Sequence, residues 1–267
     1  YNGTLTTTNN TFKGNSAANG GAIHLHGGFM EDNSSLLTAN HATVNYGGGI
    51  KMGQTDLLLS GTTFIQNTAA SHGGALYSSG DSGNPNTVEI GNSLFMTNTA
   101  EIEGGAIHVS NNNLKIFNSQ LTENSATNGG GVFGMWSTII LDQDQFTINH
   151  ADLCGGAIVT NNGNRTEIHN SVFTGNTADE QGGAIRAENT ETIITASELI
   201  SNISLEGGGA IRIVESDTVI RLSQFRDNQS QTGGAIFSSH SPLLVIDTDI
   251  SHNRAVTLSG TPNNEHG

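Results

Sequence analysis

Basic side chains are scarce in this chain. Lys and Arg together number 9 of 267 residues, against 24 Asp and Glu, for a formal net charge of −15. That balance excludes binding to nucleic acid or to an anionic membrane by bulk attraction, so neither partner class is expected. Charged residues of both signs make up only 12%, which leaves Asn, Ser and Thr to supply the polarity. Cysteine occurs once, as Cys154. An internal disulfide is therefore excluded, and the place of Cys154 before a Gly-Gly pair reads as a small buried residue. With 3 prolines and 35 glycines, the chain is not a Pro/Gly low-complexity tract. No apolar run approaches the ~18 residues of a membrane helix, and no basic and apolar leader follows Tyr1. Direct membrane insertion is not expected, and the chain reads as a mature or excised segment of a longer protein.

What the chain has is a repeat. Gly-Gly-Ala-Ile or a close variant occurs nine times, each copy after an F-x-x-N-like tetrad, as in Phe12 to Asn15 followed by Gly20 to Ile23. The tetrad Asn falls at Asn15, Asn40, Asn67, Asn98, Asn124, Asn149, Asn176, Asn202, Asn228 and Asn253, in steps of 25 to 31 residues. A period of about 26 signals one supersecondary unit stacked many times. The longest step carries a polar insert from Ser78 to Asn86 with Gly80, Gly83 and Pro85, expected to bulge from one face.

Strand patterns fill each unit. Val88 and Ile90 alternate with polar neighbours before Phe95, as do Thr218 and Ile220 before Phe225, the pattern of a half-buried strand. Two residues before the tetrad aromatic stands a small polar residue, among them Ser35, Thr62, Ser93, Ser119, Ser171, Ser197, Ser223 and Thr248. A hydroxyl there suggests a bend held by side-chain-to-backbone bonds. A further strand follows each Gly-Gly. No segment has helical periodicity, and the unit is too short for a four-stranded propeller blade. The expected fold is an all-β, single-stranded parallel β-helix of about 10 coils, one domain with repeats over about residues 5–256 and a polar tail at 257–267. One coil cannot bury its apolar face alone, whereas coils stacked about 4.8 Å apart can. Phe12, Phe64, Phe95, Phe146, Phe173 and Phe225 should then form an inner aromatic ladder, and Asn15, Asn67, Asn98, Asn149, Asn176 and Asn228 an amide ladder, with Leu37, Leu121, Leu199 and Ile250 interrupting the former.

The column two residues past the Ala is expected to face outward. It reads His24, Lys51, Tyr77, His108, Phe133, Val159, Arg186, Arg212 and Phe237. Lys51, Tyr77, Phe133, Arg186, Arg212 and Phe237 are its candidate surface-binding residues. Arg186 and Arg212 stand on adjacent coils with Glu188 and Glu215 nearby; pairing with those acids is expected, and a small anion or sugar-acid contact is the alternative. Six N-x-S/T sequons occur, at Asn2, Asn9, Asn33, Asn164, Asn202 and Asn228. Asn202 and Asn228 fall in the ladder, so Asn33 and Asn164, in loops, are the candidate glycan acceptors.

The pairing of GGA[ILV] with F-x-x-N, as in Phe95, Asn98, Gly104, Gly105, Ala106 and Ile107, resembles the repeat of the chlamydial polymorphic outer membrane proteins. The resemblance runs from about Phe12 to Asn253. It implies a right-handed β-helix exposed on a cell surface and often adhesive.

Parallel β-helices also host polysaccharide lyases and hydrolases, which need paired carboxylates or Ca²⁺-binding acids. The acid pairs available are Asp142 with Asp144 and Asp247 with Asp249. Both lie in or beside the small-polar bend column, which points to turn bonding. His24 and His108 share a column but stand three coils apart, too far to share an ion, so no metal and no cofactor is expected. The sequence reads as a non-enzymatic extracellular rod serving adhesion or structural extension. Its expected partner is a surface molecule of a host or neighbouring cell. The alternatives are a subunit stacking end to end on copies of itself, and a polysaccharide-degrading enzyme.

Overall fold

The computed structural model describes residues 3–256. The sequon at Asn2 and the tail at 257–267 lie outside the described residues. The chain winds as an all-β parallel solenoid of about ten turns, with three sheets of 17, 10 and 10 strands. One turn illustrates the plan. The chain follows the main sheet through Ile107–Ser110 and Asn112–Phe117, turns a corner into Gln120–Thr122, and turns again into Ser125–Asn128. Most turns therefore carry four strand segments. The main-sheet face breaks into two pieces at a corner that no motif marks. In the first two full turns those pieces run on as single strands, Ile23–Asn33 and Ile50–Ser60.

Motif positions pair with their equivalents one turn away. Ile107 lies in parallel register with Leu76 and Val132, and Phe95 with Phe64 and Leu121. The register follows from burial, because a one-residue slip would turn every core side chain outward. Phe64, Phe95, Phe146, Phe173 and Phe225 are fully buried with Leu37, Leu121 and Leu199. Phe64 stacks on Phe95 with ring centroids 4.7 Å apart, and Phe146 on Phe173 at 4.8 Å. Phe12 and Ile250, on the end turns, are covered on one side only; Ile250 is 46% exposed.

The amide ladder runs without a break from Asn15 to Asn253. At each step the side-chain oxygen accepts both the backbone N–H and the side-chain N–H of the Asn one turn earlier, for example Asn124 to Asn149 at 3.0 Å each. The second side-chain N–H reaches back to the carbonyl of the tetrad aromatic position, as Asn149 does to Leu121 at 2.9 Å. Each inner amide thus has every donor and acceptor matched while being wholly buried, the condition under which a polar ladder stabilises a core.

A hydroxyl ladder turns the second corner. The N–H of Ser93 donates to Ser119 Oγ at 3.1 Å, and Ser93 Oγ donates to the carbonyl of Gly91 at 2.8 Å. The residue just before this column is left-handed in nearly every turn, as at Asn92, Asn118, Gln143, Asn170, Ala196 and Leu222. A second left-handed column precedes the tetrad Asn and includes Thr97 and Ile148 at φ 52° and 55°. Left-handed positions are all glycine only where the first residue of the Gly-Gly pair sits, as at Gly182 with φ 65°. The second Gly of the pair serves close approach: a Cβ on Gly183 would stand 2.2 Å from the carbonyl oxygen of Gly209. The insert forms as expected, leaving the main sheet after Ser79 and rejoining it at Asn86, with an Asp81 to Asn84 bridge at its tip.

Candidate functional site

The segment between each short third-sheet strand and the next Gly-Gly does not simply cross open solvent. Its residues pair from turn to turn, Tyr46 with His72, His72 with Glu103, and Glu103 with Asn128. Asn128 pairs with Cys154, Cys154 with Gln181, and Gln181 with Gly207. This narrow ribbon runs along one flank of the rod and covers the column expected to face outward.

That cover corrects the reading of the column. Its side chains do point away from the main core, but Phe133 is 3% exposed, Val159 1% and His108 4%. Phe133 and Val159, beneath the ribbon, form a small separate apolar cluster with Cys154 of the ribbon itself, and Met135 packs against it. Phe133 is therefore not available to a ligand. Burial also pushes the Cys154 thiol up, away from the thiolate form that reacts.

Of the other column members His24 is exposed, and Lys51, Tyr77, Arg186, Arg212 and Phe237 are half-buried. Lys51 Nζ lies 3.0 Å from His24 Nε2. Arg186 and Arg212 are partners in register. Arg186 reaches Glu188 at 2.7 Å, whereas Arg212 lies over the Phe237 ring, 4.6 Å from its centroid, an aromatic contact where a carboxylate such as Glu215 was expected. Asn33 and Asn164 are exposed. Asn33 closes the strand Ile23–Asn33, where a loop was expected, and accepts the Ser34 hydroxyl at 2.9 Å. Asn202 and Asn228 are fully buried.

Of the two carboxylate pairs, Asp142 with Asp144 is held by hydrogen bonds within and between turns. Asp144 is fully buried and accepts the N–H of Ser119 at 2.8 Å and of Asp142 at 3.2 Å. It is the one carboxylate in the column of small polar residues, and burial pushes it up to about 7 despite those bonds. Asp247 occupies the left-handed corner position at φ 46°, and Asp249 lies 3.8 Å from Arg226.

The sequence reading missed the group at the N-terminal half of the ribbon. Glu103 Oε2 lies 3.1 Å from Nε2 of both His72 and His108. Burial pushes the Glu103 carboxyl up, but hydrogen bonds from His108 and His72, and their charges when protonated, outweigh it and hold it at about 2. Burial lowers His108, with the Glu103 hydrogen bond opposing. Beside them, Tyr46 stacks on Tyr77, Tyr77 on His108 and His108 on Phe133, with centroids 4.4, 5.0 and 5.3 Å apart. His24 plays no part in the group. The signal that could have found it was the pair of residues directly before Gly-Gly in consecutive repeats, His72 and Glu103, with His108 a few residues on.

Three stretches, residues 11–25, 61–79 and 170–188, match the family model of the Chlamydia polymorphic membrane protein repeat. Each contains the end of a main-sheet strand, a tetrad, a Gly-Gly corner or a combination of these. No curated protein and no solved structure matches the chain.

Proposed function

We propose that this rod, built from repeats of the Chlamydia polymorphic membrane protein type, is a surface-displayed scaffold that holds adhesive side chains and loops away from a cell. The observation that carries the reading is the unbroken amide ladder from Asn15 to Asn253. It commits the motif residues to turn-to-turn bonding, so recognition falls to what the motif leaves variable. Those parts are the exposed insert at residues 81–85, the half-buried Lys51, Arg186, Arg212 and Phe237 on the flank, and glycans at Asn33 and Asn164 where the host adds them. The partner is a surface molecule of a host or neighbouring cell. The repeat type belongs to a membrane-protein family, which supports placement at the cell surface.

Beads coated with the folded chain are expected to adhere to animal or microbial cells, and beads carrying heat-denatured chain are not. Adherence should fall when the insert is replaced by a two-residue turn or when Arg186 and Arg212 are changed to Ser. Equal adherence of folded and denatured coats across a broad cell panel would refute the reading. Electron microscopy of the same sample should show short rods; long fibres at low protein concentration would favour self-stacking instead.

A further inference from the structure

We propose that His72, Glu103 and His108 form a zinc-type metal site that clamps two neighbouring turns of the solenoid together. The three ligand atoms are Nε2 of each imidazole and Oε2 of the carboxylate. Both nitrogens lie 3.1 Å from the oxygen, and all three atoms lie within 4.8 Å of one another. Four-coordinate zinc, with bonds of about 2.0–2.2 Å, sets its ligand atoms roughly 3.3 Å apart. The two nitrogen-to-oxygen edges already have that length. A small rotation of His72, the more exposed of the two rings, brings the third edge in.

The fold places these residues from two different elements. His72 and Glu103 are bridge partners in the flanking ribbon, one turn apart. His108 comes from the main sheet of the same turn as Glu103, on the strand Ile107–Ser110. A cation here would tie ribbon to sheet and turn to turn. The rings are held for the task. His108 is sandwiched face to face between Tyr77 and Phe133, and its Nδ1 is buried with no hydrogen-bond partner, so its one engaged nitrogen is the one facing Glu103. His72 Nδ1 bonds to Ser71 Oγ; with Nδ1–H donating to that hydroxyl, Nε2 carries the lone pair a metal takes. Partners of this kind on the far ring nitrogen orient metal-binding histidines.

The donor chemistry selects the metal class. Two imidazoles and one carboxylate suit zinc, cobalt, nickel or copper, whereas calcium and magnesium favour all-oxygen shells. Three protein ligands on a partly open flank leave a fourth position for water. The second cluster, His150 with Asp152 and Asp179, offers one imidazole only, and both of its acids are exposed.

The test uses the full chain without a polyhistidine tag. Equilibrium dialysis against micromolar ZnCl₂ should retain one ion per chain and raise the melting temperature. His72→Gln and Glu103→Gln should each weaken retention at least about tenfold and abolish the rise, while His150→Gln should change neither. Circular dichroism reports whether each variant folds. Cobalt(II) added to the unaltered chain should give the visible bands of a four-coordinate ion, bleached by one equivalent of zinc, a readout that needs no variant. Absence of those bands together with no retained zinc would overturn the proposal, leaving a hydrogen-bonded triad only. Undiminished retention by His72→Gln and Glu103→Gln would overturn it as well.

Discussion

Asp144 is the sharpest point at which the structure predicts a behaviour of the whole molecule. Its column holds hydroxyls in the neighbouring turns, Ser119 and Ser171. The carboxyl does the same bonding but carries an ionisable group into a fully buried corner, and its value is raised from an ordinary 3.8 to about 7. A raised carboxyl is a liability when charged. Below about pH 4 folded and unfolded chains both hold the proton, so the group is neutral in its effect. Between pH 4 and 7 the unfolded chain has released the proton and the folded chain has not, so stability falls as pH rises. Above pH 7 the whole difference of about three units is lost, on the order of 4 kcal/mol. Asp144→Ser should recover most of that. The Ser hydroxyl can accept the Ser119 N–H, as Ser119 Oγ accepts that of Ser93 at 3.1 Å. It leaves the Asp142 N–H short of one acceptor, a loss of about 1 kcal/mol. The variant should therefore be the more stable by about 2–3 kcal/mol at pH 8 and slightly the less stable at pH 4. In melting temperature the pH 8 gain is roughly 5–10 °C. Thermal melts followed by circular dichroism at pH 4 to 8 would show the two curves crossing. Other carboxylates affect both proteins alike and cancel in the comparison. A constant offset between the curves, or a wild type more stable at pH 8, would refute the argument that desolvation dominates at this corner.

Three further outcomes follow from the ladders and corners. Asn149→Ala strands the donors of Asn124 and the carbonyl of Leu121, and should cost about 3–5 kcal/mol by equilibrium urea unfolding; a cost below about 1 kcal/mol would mean the ladder is incidental. Ile148→Gly replaces an exposed β-branched residue at φ 55° with the residue used at the same corner by Gly14 and Gly175, and should stabilise by about 1 kcal/mol despite the entropy of glycine, measured in the same way. Gly183→Ala sets a methyl against the carbonyl of Gly209, so it should lower the melting temperature or the soluble yield far more than Gly83→Ala, at a site where a Cβ meets nothing.

The turns of this protein were legible in its sequence wherever the same residue recurs at the same place. Phe95 and Asn98 could be assigned to inner ladders because Phe64 and Asn67 stand one period earlier, and stacking like on like leaves few other arrangements. The left-handed corners were not legible, because inter-turn bonds such as Asn92 N–H to the Phe117 carbonyl hold them whatever residue is present. That tolerance puts Ala196, Leu222 and Ile148 where glycine or Asn would be read. The flanking ribbon was hidden for a similar reason. Tyr46, His72, Glu103 and Cys154 share a position but no chemistry, so the column they cover read as bare, and Phe133 was taken for a surface residue. The same blindness concealed the His72, Glu103 and His108 group, whose members come from two columns rather than one.

The insert at residues 80–85 shows something about how such a molecule can change. The turn containing it has 31 residues between ladder positions, and its neighbours on either side have 27 and 26. Yet Asn67 meets Asn98 at the same 3.0 Å as Asn98 meets Asn124. Distance along the axis is thus metered by turns and not by residues. Evolution can lengthen a loop here, trim it or rewrite it, and the pitch of the rod does not register the edit. How far the rod extends and what it presents on the way are set by separate stretches of the gene, so each can vary without disturbing the other.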